Sequence, residues 1–154
     1  MWWIFTLLII ANVLGKNLCH QHRDELENVD FCSRHLNISR ANMPQLTPVV
    51  EECFIHYLHV ASIVSWSTIL NHAEELSSTQ NEIHSLITSS LFISLEKHGQ
   101  RDPIYISTDG HVLDGHHRWV ALLYLKRDVK ATIIDLPIET LLELARFYST
   151  ESHV

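Results

Sequence analysis

Pro103-Ile104-Tyr105-Ile106-Ser107-Thr108-Asp109-Gly110-His111-Val112-Leu113-Asp114-Gly115-His116-His117-Arg118-Trp119-Val120-Ala121-Leu122-Leu123 is the stretch whose reading decides the fold. Two β-prone runs, Ile104–Ser107 and His111–Leu113, flank Thr108-Asp109-Gly110, and Asp-Gly between apolar runs is a hairpin signal. Asp114-Gly115 then turns the chain into a run of helical type that begins at His116. Strand, glycine turn and helix start, in that order, leave unpaired backbone N–H groups and the positive end of a helix dipole at one corner. His116, His117 and Arg118 add side-chain donors there, so the corner suits an anion, foremost a phosphate.

Outward from this corner the pattern is mixed α and β. On the C-terminal side, Val129–Ile134 reads as a third strand, and Asp135-Leu136-Pro137 opens an amphipathic helix carrying Ile138, Leu141, Leu142 and Ala145. On the N-terminal side, Ser77–Glu82 reads as a polar loop, followed by a helix over residues 81–98 that ends at Gly99. Thr47-Pro48 starts an earlier helix, a hydroxyl cap followed by proline at the first helical position, with Val50, Phe54, Tyr57 and Leu58 on one face. His56 and His59 stand three apart on it, a spacing shared by metal sites and by ordinary amphipathic helices. Residues 61–70 are β-branched and aromatic enough for a strand but ambiguous, and Arg40–Leu46 reads as an extended lead-in, since Pro44 disfavours helix just before it. The expected organisation is a signal peptide over 1–15, a polar leader over 16–46, a helix and connection over 47–76, and the main α/β (α+β) domain over 77–150.

The chain has 154 residues, 46% of them hydrophobic, enough for one small domain with its own core. Its formal charge of -7 argues against broad nucleic-acid binding, which needs a basic surface. Twelve histidines could move that charge markedly between pH 7 and pH 5. Residues 2–15 carry no charged side chain, are short for a membrane span and suit a secretory signal, with Val13 and Gly15 at the cleavage site and Lys16 beginning the mature chain. No Lys or Arg precedes the apolar run, which leaves an uncleaved anchor or a buried helix as alternatives. Export would make the chain secreted or periplasmic, with no stable span after cleavage. Of three cysteines, Cys19 and Cys32 are candidates for one disulfide, Cys53 falls in an apolar segment and reads as core, and three reduced thiols are the alternative. Asn37-Ile38-Ser39 is a glycosylation sequon, and Cys19, His20 and His22 lie close enough together to bind a metal.

From Ser78 to about Tyr148 the chain resembles the ParB/sulfiredoxin superfamily. The likeness rests on Thr79-Gln80-Asn81-Glu82, the helix that follows, Pro103-Ile104, and Asp114-Gly115-His116-His117-Arg118 opening a helix. Met43-Pro44-Gln45 behind a signal peptide is similar to small secreted members. The resemblance implies a small mixed sheet with helices packed on it, and a nucleotide or phosphate bound by Gln80, Asp114, Gly115, His116, His117 and Arg118. Where sulfiredoxins place a reactive cysteine this chain has His116, so sulfinic-acid reduction is not expected. Only about 30 residues follow Leu123, too few for the DNA-binding region of partition proteins, so sequence-specific DNA is not an expected partner.

The motif stands nearest the free-serine kinases of that superfamily. By that resemblance Glu82 is the base that takes a proton from a substrate hydroxyl. His116, His117 and Arg118 hold the phosphates of ATP or ADP, and Asp114 orients the loop or a magnesium ion. Two plainer readings stay open, Glu82 as a first-turn helix residue and Asp114 as a helix N-cap. An exported protein meets little ATP or ADP unless it is delivered into a host cell or acts in a compartment that contains them. Two further functions therefore stand beside the kinase: a nuclease or phosphoesterase using His117 or His111 as acid or base, and a non-catalytic phosphate-binding module.

Overall fold

The computed structural model describes residues 16–17, 26, 31–32 and 35–151; the apolar run 2–15 and the Cys19, His20, His22 group lie outside the described residues. In chain order the elements are β1 (Lys16–Asn17), α1 (Pro48–Val60), β2 (Ser65–Leu70), β3 (Ser77–Ser78), β4 (Glu82–Ile83) and α2 (Ser85–His98). There follow β5 (Ile104–Ser107), β6 (His111–Asp114), α3 (His116–Tyr124), β7 (Val129–Ile134) and α4 (Ile138–Glu151). The fold is mixed α and β. Five strands form one sheet in the order β2-β7-β5-β6-β3, while β1 pairs with β4 apart from it. Among the described residues, no helix is long and apolar enough to cross a membrane.

The hairpin of β5 and β6 lies where its turn chemistry puts it. Gly110 takes φ 81, a conformation glycine reaches without strain, and Asp109 Oδ1 accepts both the Ser107 hydroxyl and the Ile138 N–H, tying the turn to the start of α4. β5 pairs antiparallel with β6, with a register shift between Tyr105 and Ile106, and parallel with β7. Both faces of the sheet are covered, which is why all four residues of β5 are buried although they alternate in direction. Ile104, Ile106, Val112 and Ala131 pack with Trp119 and Leu95, from α3 and α2, on one side. Tyr105, Leu113 and Ile134 pack with Phe54, Leu58, Leu141 and Ala145, from α1 and α4, on the other. Trp119 is fully buried, its Nε1–H donating to the Ala73 carbonyl at 2.8 Å and its ring set edge-on to Phe31.

Four expectations need correction. The helix expected from Asn81 starts at Ser85, because Glu82 and Ile83 are drawn into a strand against Lys16 and Asn17 and Ile83 is buried. Residues 77–80, expected as a polar loop, are almost wholly buried at the sheet edge, with Ser77 and Ser78 in β3. Their hydroxyls are satisfied inside the fold, Ser78 on the Gln80 carbonyl and Thr79 on the Val112 carbonyl, so polarity alone misplaced them. Arg40–Asn42, expected as extended chain, forms a 3-10 turn, and just before it Leu36 and Ile38 donate their N–H groups to the Ser78 and Thr79 carbonyls. Cys53 is exposed and free, outside the Val50, Phe54, Leu58 face that α1 buries, whereas Cys32 is disulfide-bonded. Thr47 and Pro48 do start α1, though the Thr47 hydroxyl makes no capping bond. In the ambiguous run 61–70, Ser65–Leu70 forms the edge strand β2.

Candidate functional site: the corner between β6 and α3

The corner is built on Gly115, which caps α3 with φ 94. A β-carbon there would stand 2.7 Å from Ile104 Cγ2 and 3.2 Å from Arg118 Nη1, so only glycine lets the strand end meet the helix start so closely. Asp114 is therefore the last residue of β6 and not the N-cap. The first bond of the new helix runs from Trp119 N–H to the Gly115 carbonyl, so the amides of His116, His117 and Arg118 have no partner within α3. These residues line a cleft of about 200 Å³ that is closed by Arg40, Pro44 and Gln45 from the leader and by Ile87 and Leu91 from α2.

The two histidines are acceptors. Nε2 of His116 takes the N–H groups of Thr79 and Gln80, each at 3.3 Å, in a wholly buried setting. Nε2 of His117 takes the His84 N–H at 3.1 Å. An imidazole nitrogen that accepts must be unprotonated, which places each ring proton on Nδ1. Burial pushes the His116 pKa down to about 3, with His117 adding to the effect. Burial, then Arg40, then His84 push that of His117 down to about 4. Both rings are neutral braces that pin the 79–84 segment to α3. The positive charge lining the cleft comes from Arg118, whose Nη1 donates to the Pro103 carbonyl at 2.8 Å, and from Arg40.

Of the acidic residues, Asp114 lines the cleft and Glu82 does not. Burial raises the Asp114 pKa, with nearby Glu51 in the same sense, against the opposing pull of Arg118. Glu51 accepts the Tyr105 hydroxyl, and burial together with that carboxylate raises the phenol's pKa. Glu82 Oε1 instead accepts the Arg40 N–H at 2.9 Å, so in this structure it positions the Arg40 turn. With Glu82 in a strand, the alternative of a first-turn helix residue lapses. Gln80 also lines the cleft, with its side-chain N–H on the Glu82 carbonyl.

The other candidates sit elsewhere. His111 is buried in β6 with Nδ1 3.5 Å from Asp109, away from the cleft, and His56 and His59 lie exposed on α1. Among the described residues no cluster of three His, Cys, Asp or Glu side chains could hold a metal. Asn37 is exposed in the left-handed region at φ 55, and its side-chain oxygen accepts from Asn81. Arg40, Pro44 and Gln45 are the cleft residues that sequence reasoning missed as a group. They stand some seventy residues before Asp114, and Pro44 pointed only to extended chain before it.

Fold and site together define a mixed α/β domain whose β6–α3 corner brings a helix start, Asp114 and two arginines into one cleft. Compared with protein-family models, curated proteins and solved structures, the chain matches none.

Proposed function

We propose that this chain binds a phosphorylated small molecule or nucleotide in the cleft at Asp114–Arg118, on a domain of the ParB/sulfiredoxin type. One observation carries the reading: the first residues of α3, whose amides have no partner within the helix, and two arginines, Arg40 and Arg118, line a single cleft. The imidazoles contribute order and not charge. A cleft of about 200 Å³ suits a phosphate with a small organic group, or the phosphate end of a nucleotide.

A second reading has its own support. Asp114 lies in the same cleft with its carboxyl shifted toward holding a proton, as a base in phosphoryl transfer requires. Transfer to a substrate hydroxyl, with ATP or ADP and magnesium, would then use Asp114 as base and Arg40 and Arg118 on the phosphates.

The test is thermal unfolding of the protein with inorganic phosphate, ADP, ATP and phosphoserine. A ligand at 100 times its Kd stabilises by about 2.7 kcal/mol. Arg118→Ala should weaken binding by roughly 2 kcal/mol or more, since the phosphate loses a charged partner, and so remove most of that protection. An unchanged shift in that variant rejects the site. Asp114→Asn separates binder from enzyme: retained protection with lost turnover supports transfer, and turnover that survives rejects Asp114 as base.

A further inference from the structure

The two edges of the sheet are treated differently. At one edge, β3 is sealed by the chain itself, since Leu36 and Ile38 donate N–H groups to the Ser78 and Thr79 carbonyls. At the other, β2 has no strand beyond it among the described residues. Its ladder with β7 shows which groups face outward. Ser65 lies opposite Ile134, and one step earlier the Asp135 N–H bonds the Val64 carbonyl at 2.9 Å. Hydrogen-bonded pairs alternate along an antiparallel ladder, so Val64, Trp66, Thr68 and Leu70 turn their polar groups toward β7. Ser65, Ser67 and Ile69 turn theirs away from the sheet.

Natural edges are guarded by charge, proline, bulges or short length. β2 has none of these. From Val60 to Asn71 the chain holds no charged residue and no proline, β2 pairs with β7 over all six residues without a register break, and Trp66 and Ile69 are 43% and 56% exposed. We infer that β2 pairs antiparallel with β2 of a second copy of this chain, joining two five-stranded sheets across a two-fold axis at Ser67.

Three features favour a second copy over another partner. In a chain of net charge -7, an uncharged edge is a place where two copies meet without like charges opposed. The strand is also complementary to itself. With the axis at Ser67, Ser67 faces Ser67 and Ser65 faces Ile69, all in hydrogen-bonded pairs, so every outward group named above finds a partner. Trp66 then faces Thr68 in the close, non-bonded pairs, where side chains approach most nearly. Lastly, a two-fold contact through β2 uses that edge up in both copies and is closed, so assembly through it stops at two.

Sedimentation of the whole protein at micromolar concentration tests this. The expected species is a dimer of twice the protomer mass. Ser67→Pro removes only outward N–H groups, one from each copy at the axis, and should weaken association by about 100-fold while leaving the protomer folded by circular dichroism. Ser67→Glu places two carboxylates face to face across the axis and should also give monomers. Mixing Ser67→Glu with Ser67→Lys protein should restore a dimer of one copy of each, which a contact elsewhere would not do. A monomeric parent, open-ended oligomers, a dimer indifferent to both single variants, or a mixture that stays monomeric would each overturn the proposal. Should Ser67→Pro not fold, the charge pair decides alone.

Discussion

Gly115→Ala is the substitution that most directly probes how the corner is built. The native residue has φ 94, a left-handed conformation that costs an L-residue roughly 1–2 kcal/mol. The added methyl would stand 2.7 Å from Cγ2 and 3.1 Å from Cβ of Ile104, which is fully buried between sheet and helix and has nowhere to retreat. Overpacking of this kind costs about 1–3 kcal/mol. Alanine's smaller unfolded-state entropy returns about 0.4–1 kcal/mol at most. The net expectation is a loss of about 2–4 kcal/mol, or about 5–15 °C in Tm for a chain of this size. Urea unfolding followed by circular dichroism measures it. The steric part has its own control, because Ile104→Leu moves the branch away from Cβ and takes Cγ2 out of the contact. The double variant should be less destabilised than the sum of the two singles. A Gly115→Ala loss below about 1 kcal/mol, or strict additivity with Ile104→Leu, would refute the close approach of strand and helix.

Three further outcomes follow from the same geometry. Glu82→Gln keeps an oxygen to accept the Arg40 N–H, so stability should stay within about 0.5 kcal/mol of the parent and phosphate protection should persist; lost protection would return Glu82 to the cleft. Trp119→Phe strands the Ala73 carbonyl in the core and should cost about 2–4 kcal/mol in urea unfolding, against a loss under about 1 kcal/mol if that bond is dispensable. His116 and His117, held neutral with pKa values of about 3 and 4, bind protons in the unfolded chain before the folded one. Their contribution is thus complete above pH ~6.5 and falls away as pH drops toward 4 and then 3, opposed in sign by Asp114. Unfolding free energies measured between pH 7 and pH 4 should decline, and less steeply in the His116→Gln, His117→Gln double variant; an equal slope would dismiss the two imidazoles as the source.

What could be read from the residues is what local chemistry decides. Asp109-Gly110 and Asp114-Gly115 announce the turn and the corner because their backbone demands are met within four or five residues. The hairpin, α3, β7 and α4 accordingly lie close to their expected places. What could not be read depends on distant chain. Thr79 is polar, yet it is fully buried because Val112 and His116 receive it and Ile38 seals the edge above it. Arg40 joins the cleft only through the turn that Glu82 anchors from 42 residues away. Cys53 looked like core because its segment is apolar, but α1 buries Val50, Phe54 and Leu58 and leaves the thiol outside.

The histidines carry the most instructive misreading. A helix start rich in histidine suggests donors and a charge that follows pH. Here the backbone amides of Thr79, Gln80 and His84 occupy the Nε2 atoms of the pair, and acceptance excludes protonation. Protonating either ring would break the bonds that hold the 79–84 segment on α3, so the fold resists it. The cleft's positive charge is then left to Arg40 and Arg118. A chain with twelve histidines thereby lines its candidate site with fixed charge, and uses the two imidazoles nearest to it as rigid struts.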